Sequence, residues 1–116
     1  MIHRTEPFWW LLFAAGGSVA AVLAPVLILL TGIAAPAEGF APAFAYAHVR
    51  ALVAYPLTRL VLFGVIALSF FHWAHRFRYT LAEGLALKRA WLPVAVVCYV
   101  AAIAGTVYAA TVILLF

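Results

Sequence analysis

Charge is what this sequence has least of: only 9% of its 116 residues are charged, and just three of those are acidic. With 70% hydrophobic residues and a mean hydropathy of +1.19, a water-facing globule is excluded. A small domain leaves too much of its surface exposed to hide that much apolar side chain. Cysteine is also scarce. The single Cys98 rules out an internal disulfide, carries no message about redox compartment, and reads as a packed thiol. No Cys/His cluster has the spacing of a zinc site. Short alternating segments of the kind that build a β-barrel are missing, as are repeats and low-complexity tracts. These absences leave an integral membrane protein, one anchor domain over 1–116 without a soluble lobe.

What is present is three long apolar runs, at about 8–35, 51–75 and 90–116. Each exceeds the ~20 residues that carry a helix across ~30 Å of hydrocarbon. The first and third contain no charge, and the second contains Arg59 before it reaches its polar end at His75. The expected fold class is therefore an all-α membrane protein with three transmembrane helices. The first run is too long for the core of a cleavable signal peptide, and its flank, with Arg4, is weakly basic.

Loop charge sets the expected orientation. Arg76, Arg78, Lys88 and Arg89 follow the second run and Arg4 precedes the first, whereas the first connection holds Arg50 with Glu38. The positive-inside rule then puts the N-terminus and the second connection in the cytoplasm. On this reading the net charge of +4 reflects insertion, and no nucleic-acid partner is expected.

Local signals add detail. Glu6-Pro7 reads as a helix start, and Trp9 and Trp10 fall at headgroup level. Pro25 predicts a kink inside the first span. Residues 35–42 form a turn-rich connection, and a short interfacial helix is expected from about Phe44 to Arg50. Small residues recur at four-residue spacing at Gly16, Ala20 and Ala24, and again at Ala101, Gly105 and Ala109. Such ladders let helix backbones approach closely, although alanine-rich helices also produce them by composition alone.

The polar residues gather at 71–78, where Phe71-His72-Trp73-Ala74-His75-Arg76-Phe77-Arg78 closes the second run. Ionisable groups near membrane depth are costly and point to function. Two readings of His75 and Arg76 stand side by side. In one they finish a helix, where the dipole favours histidine and arginine reaches the headgroups. In the other they form a redox or proton-handling site, with histidine hydrogen-bonding a quinone oxygen and arginine supplying fixed positive charge. His72 shares a helix face with His75. No other span offers a second axial histidine, so His72 reads as packed rather than as a haem ligand. Arg59 lies 16 residues before His75, or ~24 Å along a helix, toward the opposite leaflet. Glu83 is expected in the second connection, hydrated, with proton exchange as its candidate role. His48 is given none.

The segments Glu6-Pro7-Phe8-Trp9-Trp10-Leu11-Leu12-Phe13-Ala14-Ala15-Gly16-Gly17 and Ala24-Pro25-Val26-Leu27-Ile28-Leu29-Leu30-Thr31-Gly32-Ile33 resemble the opening of the D-type membrane anchor of fumarate reductase. The likeness continues through Arg59-Leu60-Val61-Leu62-Phe63 to His75-Arg76, and in the third span it is little more than hydropathy. The resemblance implies a non-catalytic anchor in the bacterial cytoplasmic (inner) membrane. It implies a second, C-type membrane anchor, an iron–sulfur subunit and a flavoprotein subunit as partners. FAD and iron–sulfur clusters would then sit on partner subunits only, haem would not be expected, and menaquinol would be oxidised at a shared site. Carried over residue by residue, that site takes Trp10, Phe13 and Ala14 from the first span and His75 and Arg76 from the second.

Two departures stand out. Ala14 replaces the family's glycine. Phe77, Arg78, Tyr79, Thr80 and Leu81 replace a histidine-rich run, which leaves Glu83 as the candidate for proton transfer. Other classes remain in view: a succinate dehydrogenase anchor with haem b, a small membrane transporter, or a purely structural anchor. The transporter would need an acidic residue deep in a span, and Glu6, Glu38 and Glu83 all lie at ends or in connections.

Overall fold

A computed structural model of the chain describes residues 6–115, the Lys88 side chain excepted. The flank at Arg4 and the terminal Phe116 lie outside them. The described residues are helical throughout their ordered elements, with no strand: α1 is Glu6–Ile28, α2 Tyr46–Ala54, α3 Pro56–Gly84 and α4 Trp91–Leu115. Three helices are long and apolar enough to cross a membrane, namely Glu6–Ala34, Pro56–Gly84 and Trp91–Leu115. The expected three-helix class therefore holds.

The ends of these helices follow from local chemistry. Glu6 and Pro7 open α1, where a missing N–H costs nothing. Pro25 is accommodated without ending the helix, and the chain then widens into an i→i+5 turn over Leu29–Ala34. There the Ala35 N–H donates to the Leu30 carbonyl at 2.8 Å. Such widened turns are a common way for a helix to absorb a local disturbance.

The second apolar run is divided differently from the expected 51–75. Residues 51–54 belong to α2, and Tyr55 is extended (φ −66, ψ 129) before Pro56 opens α3. A residue preceding proline is pushed out of the helical region, and proline is well suited to a first helical position. At its other end α3 continues past His75 to Gly84, so Glu83 lies in its last turn and not in a connection. Nothing between Arg76 and Glu83 breaks a helix. The chain turns only where Ala86 adopts φ 54, with its N–H donating to the Glu83 carbonyl at 3.3 Å.

α3 is the central helix and packs against both α1 and α4. The assembly measures 54 × 31 × 24 Å with a radius of gyration of 17.7 Å. A compact domain of this length would be near 13 Å, so the chain forms an elongated slab. The buried ones among the described residues are all small: Gly16, Ala74, Ala95, Cys98 and Ala102. Phe70, Leu81, Val94 and Tyr99 pack around Ala74, Cys98 and Ala102. Without a hydrophobic drive between helices in lipid, close backbone approach is what holds such a bundle together.

The approach is tightest between α1 and α3. A Cβ on Gly16 would strike the Leu68 carbonyl oxygen and the His72 Cβ, and one on Gly17 would meet the His72 ring at 2.5 Å. On α4 the buried stripe is Ala95, Cys98 and Ala102, continued by Gly105 beneath the Phe70 ring. Of the two ladders read from sequence, Gly16 and Gly105 are contact points. Ala24 and Ala101 face outward.

Candidate functional site

The start of α1, the C-terminal half of α3 and the start of α4 meet at one end of the slab. A cavity of about 640 Å³ opens there. Trp9, Trp10 and Phe13 line it from α1, Phe71, His75, Arg76 and Tyr79 from α3, and Tyr99 from α4. Its volume is that of a small-molecule site, and aromatic walls with a few placed polar groups are the usual composition of one.

Helical spacing explains the α3 contribution. Phe71, His75 and Tyr79 are four residues apart and so share one face, and Arg76 stands beside them. Phe13 contacts this face directly. Its ring lies 4.6 Å from that of His75 at 55°, while Trp10 stands edge-on to Phe13 at 6.3 Å and 90°.

His75 is held from behind. Its Nδ1 lies 3.0 Å from the Tyr99 hydroxyl and 3.3 Å from Arg78 Nη2. Arg78 Nη2 also donates to the Tyr79 hydroxyl at 3.1 Å, and the guanidinium lies 4.6 Å from the Tyr79 ring and 5.4 Å from the Tyr99 ring. Stacking on two aromatic faces fixes the cation in place. An arginine N–H can only donate, so Nδ1 of His75 accepts and the imidazole proton sits on Nε2. The ring therefore has one donor left for a ligand.

Charge in the cavity is of one sign. Arg76 lines it and Arg78 stands behind His75, while the described lining contains no carboxylate. A flat, mainly apolar ring bearing oxygen acceptors fits this arrangement. Positive charge beside it favours the anionic state of such a ring.

Of the residues singled out from sequence, Trp10, Phe13, His75 and Arg76 come together around the cavity. Ala14 is exposed, one residue past Phe13, and is not part of the lining. Glu83 is exposed on α3, eight residues beyond His75 or ~12 Å along the helix. His72 is engaged with α1: its ring stacks on Phe13 at 4.5 Å and 14°, and its Nδ1 is 3.0 Å from the Phe13 carbonyl oxygen. Among the described residues no group of three His, Cys or Glu side chains stands together as a metal site would require.

Trp9, Phe71, Arg78, Tyr79 and Tyr99 were not anticipated as site residues. Tyr79 was legible, because it follows His75 by one helical turn. Tyr99 also left a signal, since a tyrosine inside an apolar span needs a partner for its hydroxyl.

The sequence profile of the fumarate reductase D subunit matches residues 1–114 of the chain. The fumarate reductase D subunit of Mycobacterium tuberculosis (strain ATCC 25618 / H37Rv) is 46% identical over 104 residues, covering 90% of this chain and 82% of that protein. The protein of the same name from Mycobacterium bovis (strain ATCC BAA-935 / AF2122/97) gives the same figures of 46%, 90% and 82%. That of Vibrio parahaemolyticus serotype O3:K6 is 39% identical over 72 residues, or 61% of this chain and 58% of its own length. No solved structure matches.

Proposed function

The chain belongs to the family of fumarate reductase D subunits, and from that premise we propose that it forms one side of a quinol-oxidation site within the complex. As a member of that family it is a non-catalytic, multi-pass anchor of the bacterial inner membrane. The observation that carries the proposal is the cavity in which His75 and Arg76 face Trp10 and Phe13.

In this reading a menaquinol head enters the cavity flat against the aromatic walls. His75 donates from Nε2 to one ring oxygen and fixes the ring's position. Tyr99 and Arg78, bonded to Nδ1, keep that donor in place. Arg76 and Arg78 stabilise the negative charge that grows on the ring oxygen as its proton leaves. Oxidation releases two electrons and two protons. Iron–sulfur clusters and flavin, held by partner subunits, would supply the path for the two electrons to fumarate, which becomes succinate on taking up two electrons and two protons. Glu83, on the exposed last turn of α3, serves as the outward relay for the protons, with water spanning the ~12 Å between.

The same reading puts this end of the slab on the cytoplasmic face, against the iron–sulfur subunit that carries the flavoprotein. A second, C-type anchor packs alongside in the lipid. Exposure of the site fits this arrangement: Trp10 is 68% exposed and needs a further wall to close over it.

Replacing His75 by alanine in the assembled complex tests the proposal. Quinol-linked fumarate reduction should fall roughly tenfold to a hundredfold, the range for a lost hydrogen bond to a charge-developing group. Fumarate reduction with an artificial donor, and co-purification of flavin and iron, should persist. Full quinol-linked turnover in that variant would overturn the assignment.

A further inference from the structure

A second, smaller cavity of about 230 Å³ lies between α3 and α4, bounded by Ala67, Phe71, Tyr99, Ile103, Thr106 and Val107 among others. Phe71 and Tyr99 line both cavities, so the two share a threshold. Their rings stand 6.0 Å apart at 44°. From that threshold the groove leads away from the polar end of the slab. Phe71 and Ala67 lie one and two turns back from His75 on α3, and Ile103 and Val107 lie one and two turns beyond Tyr99 on α4. Eight residues of helix make the groove's reach ~12 Å toward the middle of the hydrocarbon.

The groove offers no polar grip. Its one hydroxyl besides that of Tyr99, on Thr106, donates to the Ala102 carbonyl at 2.8 Å and is thereby satisfied within α4. Whatever occupies the groove is held by apolar contact alone. Ile103 and Val107 are 63% and 57% exposed, so the groove is open along its length. That suits a flexible chain that slides in from lipid.

We propose that this groove binds the polyprenyl tail of the quinol whose ring occupies the first cavity. The inference rests on the quinol reading given above and extends it to the part of the substrate that His75 does not touch. Continuity points to the occupant. A ring seated against His75 has Phe71 and Tyr99 beside it, and the groove lined by the same two residues begins there. Tyr99 then has two functions, its hydroxyl on His75 and its ring under the first part of the tail.

The test compares a tailless naphthoquinol with one carrying a short polyprenyl chain, both oxidised by the complete complex. In the unaltered complex the prenylated substrate should show the lower KM. Ile103→Trp fills the groove and should reduce the ratio of the two KM values about tenfold, as lost apolar burial of one or two chain carbons predicts. Val107→Trp, one turn deeper, should do the same to a smaller extent. An unchanged ratio in both variants would overturn the proposal. So would failure of both variants to co-purify with flavin and iron, because the groove would then be a subunit contact. Failure of the ring site is separately visible: His75→Ala would leave tailless turnover intact.

Discussion

His72 lies flat on Phe13, with ring centroids 4.5 Å apart and planes within 14°, while its Nδ1 meets the Phe13 carbonyl oxygen at 3.0 Å. The imidazole Nδ1–H is the donor at this contact, and the ring also fills the space left by Gly17. The histidine nearest mid-membrane thus joins α1 to α3. By doing so it places Phe13, and with it Trp10, opposite His75.

Gly17→Ala should therefore disturb the site without touching it. The new methyl meets the His72 ring at 2.5 Å, so either that ring leaves its place on Phe13 or α1 moves away from α3. Overpacking of this kind costs about 1–3 kcal/mol. Thermal release of flavin from the complex should come several degrees earlier, and the quinol KM should rise while artificial-donor activity is retained. Unaltered stability together with unaltered KM would show that the two helices are not in register here.

Tyr99→Phe and Arg78→Gln test the support behind His75. Removing the Tyr99 hydroxyl deletes one bond to Nδ1 and leaves the ring in place. Quinol-linked kcat should fall about fivefold, in keeping with ~1 kcal/mol for a hydrogen bond. Arg78→Gln removes a cation as well as a bond and should cost more. Arg78→Lys should restore only part of the loss, because lysine keeps the charge but not the planar fork that stacks on Tyr79 and Tyr99. If lysine restored everything, charge alone would explain Arg78. If neither residue mattered, His75 would be held by something else.

Ala86→Gly should stabilise the protein. Ala86 sits at φ 54 between α3 and α4, a conformation that costs a residue with a Cβ about 1 kcal/mol relative to glycine. Thermal unfolding of the complex in detergent should shift upward by a few degrees, with quinol turnover unchanged. A downward shift would mean that the turn relaxes when its methyl is removed.

The three membrane helices were legible because long uncharged runs have one viable structure in lipid. Their limits were less so, for two local reasons. Pro56 ends one helix and begins another inside a continuous apolar run, and hydropathy is blind to that break. Past His75 the residues turn polar but stay good helix formers, so α3 outlasts the hydrocarbon and carries Arg78, Tyr79 and Glu83 on helix rather than loop. His75 and Arg76 stood out in the sequence as polar residues closing an apolar run, and the family resemblance added Trp10 and Phe13, whereas Trp9, Phe71, Arg78 and Tyr79 were not named. Tyr99 could not be paired with His75 in that way. Their contact crosses 24 residues and depends on how two antiparallel helices slide against each other, a register set by Ala74, Cys98 and Ala102. Small apolar residues of that kind are too common in this chain to announce which of them touch.

The central place of α3 also bears on biogenesis. Within the described chain α1 has its main helical partner in α3, so it can rest in lipid alone until Pro56–Gly84 has been made. The uncharged run from Pro7 onward lets it do so. The His72 imidazole, donating to the Phe13 carbonyl, is then the polar contact that joins the two helices once both lie in the bilayer.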